Sequence, residues 1–139
     1  MRSMLLFAAS TIAAALPLAS CGPPVMNTPV NDIPKLATLE EVMDNQATTA
    51  DPQFKKIGEE SSYTDADYQA FTAASERITA TSQKIKDFSK GPEFDALATR
   101  LGENAKALGE AAQRKDAAGS SGALASMKAT CKECHSKFR

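Results

Sequence analysis

Three side chains near the end of the chain have types and spacing that could do chemistry, in the run Cys131-Lys132-Glu133-Cys134-His135. On a helix, positions i, i+3 and i+4 project from one face. Two thiols so placed can each add to a vinyl group of one porphyrin while the adjoining imidazole reaches its iron. C-x-x-C-H is the pattern of c-type haem attachment, and covalent attachment spares a small domain a deep pocket. The rival chemistries fit less well. A disulfide between Cys131 and Cys134 across a three-residue helical step has poor geometry. A thioredoxin-like redox pair belongs in a βαβ unit, and no strand pattern is evident. A structural zinc site takes four ligands, whereas His135 is the single histidine and the third cysteine, Cys21, belongs to a separate signal near the start. The expectation is one covalent haem c, held by Cys131 and Cys134 as thioethers and by His135 as proximal axial ligand.

Such a motif needs a helix to carry it, and the sequence supplies four helical patterns. The first starts near Pro34, a residue suited to a first helical position, and places Leu36, Leu39, Met43 and Ala47 at three- and four-residue steps. It is expected to break or bend around Thr49 to Pro52 and to resume through Phe54 and Ile57 to Gly58. The second opens at Thr64, with Asp67 three residues on as a capping partner. It runs through Tyr68, Phe71, Ser75, Ile78, Ser82 and Ile85 towards Phe88, and Gly91-Pro92 stops it. The third starts at Pro92 and sets Phe94, Leu97, Leu101, Leu108 and Ala111 on one stripe. Ala117 to Gly122, rich in Gly and Ser, reads as a loop. The fourth carries Leu124, Met127, Cys131, Cys134 or His135, and Phe138 on one face. The second and third helices are about 24 residues each, roughly 36 Å at 1.5 Å per residue. Stripes of this spacing with short connections predict an all-α, antiparallel four-helix bundle.

Composition agrees. The chain has 139 residues, room for one domain, of which 42% are hydrophobic, with no Trp, two Tyr and six Phe. Abundant alanine with few aromatics favours helices over a sandwich or barrel. A formal net charge of −1 gives no reason to expect nucleic-acid binding. Residues 1–20 read as a signal peptide: Arg2 is a basic n-region and Leu5 to Leu16 an apolar run too short for a stable span. Its end, Leu18-Ala19-Ser20-Cys21-Gly22, resembles the lipobox of bacterial lipoproteins, in which Cys21 is lipidated and becomes the new N-terminus. The alternative is cleavage near Ala19 with Cys21 free, an odd thiol in an oxidising compartment. Residues 21–32, with three prolines between Gly22 and Asn31, then form a flexible tether, and 33–139 the bundle. Without Arg2, 15 bases face 17 acids, a net charge of −2. These signals predict a periplasmic protein held to a bacterial membrane by lipid.

A C-terminal C-x-x-C-H on the last helix of a four-helix bundle resembles the class II c-type cytochromes, the cytochrome c-prime family. The ending Cys131-Lys132-Glu133-Cys134-His135-Ser136-Lys137-Phe138-Arg139 is similar to that family's C-x-x-C-H-x-x-[FY]-[RK] signature. The resemblance covers roughly residues 33–139 and implies the bundle and the covalent haem. It also implies that Arg139 lies on the proximal side, shielding the histidine; a cation at a helix C-terminus is in any case favoured by the dipole. Phe138 is expected to pack against the haem. Homodimers are common in the resembled family.

The other axial position decides the function. Met1 and Met4 leave with the signal peptide, Met26 lies in the tether, and Met127 is one turn before Cys131 on the haem's own helix, which leaves Met43. By the resemblance the first helix supplies the residue over the distal face. Leu39-Glu40-Glu41-Val42-Met43 is similar to the family's R-Q-x-x-[ML] segment, with Leu39 where a basic residue is usual. Met43 is thus a candidate distal ligand, a distal wall, or a flexible core filler. A thioether ligand gives a low-spin iron with a raised potential; a five-coordinate iron binds small gases. Residues 22–76 hold ten acids and three bases, whereas Lys128, Lys132, Lys137 and Arg139 outnumber Glu133 around the motif, a basic rim that could steer an acidic redox partner. With His135 on iron, no nucleophile–base pair remains for enzymatic turnover. The leading expectation is a monohaem electron carrier and not an enzyme; the alternative is a pentacoordinate haem protein binding nitric oxide or other small gases.

Overall fold

A computed structural model describes residues 28–139 of the chain. The expected signal peptide, Cys21 and most of the tether, Met26 included, lie outside the described residues. The helices are α1 (Leu39–Phe54), α2 (Asp65–Ile85), α3 (Pro92–Gln113) and α4 (Ala117–Phe138), with short 3-10 turns at Val30–Lys35, Glu60–Ser62 and Lys86–Phe88. No strand occurs among the described residues. Short connections turn each helix back along its predecessor, giving the expected antiparallel four-helix bundle. α3 packs heavily on both α2 and α4, α1 leans on α2, and α1 and α4 touch little. None of these helices is long and apolar enough to cross a membrane.

Local chemistry explains the boundaries. Thr64 caps α2 with Asp67: the Thr64 Oγ1 accepts from the Asp67 N–H at 3.3 Å, and the Asp67 Oδ2 accepts from the Thr64 N–H at 2.8 Å. Gly91, at φ 115°, makes the turn that only glycine adopts easily, and Pro92 opens α3. The first helix departs from expectation. Pro34 falls in a 3-10 turn, and α1 instead starts behind Thr38, which forms a second capping box with Glu41. The expected break at Thr49 to Pro52 does not occur. Pro52 sits in the last turn, and the carbonyl it frees, that of Thr48, belongs to an exposed residue that water can satisfy. The chain leaves the helix after Phe54 and turns at Gly58, φ 89°. Residues Ala117 to Gly122, expected as a loop, are the first turns of α4: Asp116 caps them, its Oδ1 accepting from the Gly119 N–H at 2.9 Å, and Ser120, Ser121 and Ala123 are buried. Residues 28–31, expected as tether, are held to the bundle. The Thr28 N–H donates to Asn45 Oδ1 at 3.2 Å, Arg77 donates to the Thr28 carbonyl, and the neighbouring Ile33 is fully buried.

The Asp67 carboxyl is held down to about 2, first by the Thr64 backbone N–H, then by the Thr64 hydroxyl and by Lys56. Its folded value lies below its ordinary one, so the associated stability is complete above about pH 4 and is lost as pH falls towards 2. Asp67→Asn should therefore flatten the acid limb of a melting-temperature profile over that window and leave its neutral limb parallel to the parent; an unchanged acid limb would contradict this role.

α2 and α3 approach closely because their facing residues are small. A Cβ added at Gly109 would lie 2.5 Å from Ser75 Oγ and 3.0 Å from Ser75 Cβ. Gly109→Leu should overpack this crossing by about 1–3 kcal/mol and lower the thermal midpoint by roughly 5–15 °C, measurable by circular dichroism.

Candidate haem site

The apolar interior is split in two. One cluster joins Phe71, Ile78, Leu101, Leu108, Leu124 and Met127, with Phe54 and Cys131 packed against it. The other joins Val42, Ile85, Phe94 and Ala98, with Leu39, Met43, Cys134 and Phe138 packed against it. Along both runs a cavity of about 770 Å³, where α1 stands off from α4. The space opens to the surface between the two helices. It falls within the roughly 300–1,000 Å³ of small-molecule and cofactor sites.

The lining brings the predicted residues together. α4 contributes Met127, Cys131, Cys134, His135 and Phe138, with Arg139 just past its end; α1 contributes Leu39, Met43, Ala47 and Ala50 from across the space. Leu39 and Ala47, read from the sequence only as part of a bundle seam, line the cavity beside Met43, which the resemblance set over the distal face as candidate ligand, wall or core filler. The buried residues of α1 are Val42, Asn45, Gln46 and Ala50. Met127, discounted because it shares the helix of the cysteines, is fully buried core at the floor of the cavity. Phe138 meets Phe94 edge to face, with ring centroids 5.3 Å apart, and so fixes the end of α4 over α3.

The donor set fits a porphyrin better than a bare metal. Cys131 and Cys134 are free and half-buried, three residues apart on one helix. Burial pushes the Cys131 thiol up to about 11, with repulsion from Cys134 and Asp51 adding to it, and burial also raises Cys134. Conversion of both to thioethers would remove the ionisable protons from this apolar setting. Among the described residues no group of three or more His, Cys, Asp and Glu could hold a metal ion. A mainly apolar slot with two thiols and one exposed imidazole on the same helix suits a flat, greasy macrocycle joined through its vinyl groups.

The rim carries both signs. Glu40, Asp44 and Asp51 line it from α1, and Lys90, Lys128 and Arg139 lie opposite. Lys90 Nζ donates to the Phe138 carbonyl at 2.8 Å, satisfying the end of α4. Lys137, expected in a basic rim, is instead engaged by Glu93 and Glu133, and Glu133 also pairs with Arg100. Sequence reasoning missed Gln46, a buried polar residue in the lining whose Nε2 donates to the Thr81 hydroxyl at 3.1 Å. A single polar residue leaves no periodic signal.

A four-helix bundle with C-x-x-C-H on its last helix, opening on an apolar cofactor-sized slot, defines a helical c-type cytochrome. Comparison agrees: the family model for Cytochrome C' matches residues 31–139, and the chain belongs to that family. Its cofactor is covalent haem c. A cytochrome c' from Pararhodospirillum photometricum is 41% identical over 70 residues, 50% of this chain and 56% of that relative. The aligned stretch thus spans little more than half the length of the curated relative. No solved structure matches the chain.

Proposed function

We propose that this cytochrome is a one-electron carrier of the periplasm, lipid-anchored at Cys21, with Cys131 and Cys134 as the haem thioethers, His135 on the proximal side and Met43 over the distal face. The observation that carries the reading is the cavity that gathers all four of the last-named residues from two facing helices. When bound, haem supplies reversible one-electron exchange between ferrous and ferric iron, with redox partner proteins as donor and acceptor. Cys131 and Cys134, packed on the two separate apolar clusters, fix the cofactor along both. Leu39 and Ala50 present apolar surface to the haem on the side facing α4, which keeps reorganisation on electron exchange small. Arg139, at the end of α4, lines the same space as His135, and by the resemblance its role is to shield that histidine. Lys128 and Lys132 are exposed, and with Arg139 they suit an acidic patch on a partner, with an on-rate that falls as salt rises.

A second reading, capture of nitric oxide or another small gas, is favoured by the small side chains of Ala47 and Ala50, which leave room beside Met43. The absorption spectrum of the reduced protein with and without carbon monoxide separates the two. A low-spin spectrum that carbon monoxide leaves unmoved supports the carrier, prompt binding supports the gas-binding protein, and a colourless chain contradicts both.

A further inference from the structure

We propose that Gln46 is the residue of the α1 wall that meets a small ligand carried by the haem iron whenever Met43 is off it, offering that ligand an amide carbonyl and so favouring ligands that have a proton to give. The inference rests on the haem placement proposed above. Gln46 lies one turn beyond Met43 and lines the same cavity, and it is only 7% exposed. Its neighbours on that wall, Leu39, Met43, Ala47 and Ala50, are apolar.

A buried amide is unfavourable unless both of its ends find partners. One end is accounted for. Nε2 donates to Thr81 Oγ1 at 3.1 Å, and Thr81 is itself fully buried. The chemistry of Thr81 fixes which end of the amide this is. Its Oγ1 lies 2.9 Å from the Arg77 carbonyl and 3.1 Å from the Ile78 carbonyl. A hydroxyl has one proton, and here that proton is given to a carbonyl of α2. The hydroxyl therefore turns a lone pair to Gln46, and the amide end it meets must be the N–H donor.

Oε1 is then the free end: it is not left buried without a partner but keeps accessible surface. Gln46 belongs to the cavity lining, so this acceptor is offered to what fills the cavity. The face of a metalloporphyrin has no proton to donate, whereas a protic ligand on the iron does. Carbon monoxide brings only lone pairs and is repelled by the carbonyl.

The test is the infrared stretch and affinity of carbon monoxide in the ferrous, haem-loaded Met43→Ala protein, whose iron is open to the gas, with each substitution below made in that background. Gln46→Leu should lower the stretching frequency, because a negative end near the ligand oxygen is removed, and tighten binding by about two- to tenfold. Thr81→Val, which releases the amide, should shift or broaden the band, and Thr81→Ser should restore it. An unchanged band and affinity in Gln46→Leu, or a band that rises, overturns the proposal. Should Gln46→Leu fail to fold, the Thr81 pair decides: equal bands in Thr81→Val and Thr81→Ser overturn it. A parent protein without covalent haem defeats both this inference and the reading beneath it, whereas a coloured parent with an indifferent Gln46 defeats this inference alone.

Discussion

Cys131→Ala combined with Cys134→Ala removes covalent haem altogether: the chain runs colourless under haem staining in a denaturing gel, and its intact mass is that of the polypeptide. Both thioether sulfurs are gone, and no other cysteine occurs among the described residues. Each single variant keeps one bond. It stays coloured in the gel, but with one vinyl group still conjugated its reduced band moves to longer wavelength. The double variant also loses what joins the two apolar clusters. Since α1 has α2 as its main neighbour and little contact with α4, the loss should appear as reduced helicity and faster amide exchange confined mainly to α1. Exchange quickened equally in all four helices would contradict this division of the core.

If Met43 ligates the iron as proposed, Met43→Ala should convert a low-spin spectrum to a high-spin one and open the iron to carbon monoxide. Met43 is half-buried in the cavity wall, so its truncation disturbs packing little and the spectrum isolates the thioether. A thioether ligand stabilises ferrous iron. Its removal should lower the reduction potential on the order of 0.1 V, a fraction of the roughly 0.8 V that axial ligands span. A spectrum and potential equal to the parent's would exclude Met43 as ligand and leave it as distal wall.

What could be read from the sequence divides along physical lines. C-x-x-C-H was legible because its chemistry depends on spacing within one helix, and Cys131, Cys134 and His135 do line one cavity. Thr64 with Asp67, and Gly91 with Pro92, were legible because caps and stops act over a few residues. The start of α4 was hidden: Gly119, Ser120, Ser121 and Gly122 have weak helix propensity, and the Asp116 cap with burial of Ser120, Ser121 and Ala123 outweighs it. Pro52 misled for the opposite reason, since a proline late in a helix whose freed carbonyl faces water breaks nothing. Apart from Met43, which the resemblance set over the distal face, the role of the α1 stripe was hidden most deeply. Leu39, Met43 and Ala47 have the spacing of a bundle seam, and periodicity cannot distinguish a face that meets another helix from one that meets a cofactor. Asn45, Gln46 and Thr81 carry no apolar signal, and only the packing of α1 on α2 shows that they are buried.

The central claim is a porphyrin bonded to the cysteines of α4. Intact mass spectrometry of the unmodified chain, purified from a bacterial host equipped to mature c-type cytochromes, tests this most directly. The expected result is a coloured protein whose mass exceeds that of its processed polypeptide and lipid by one haem and persists through denaturation. A protein that sheds its colour on denaturation, or that never carries the added mass, would contradict it.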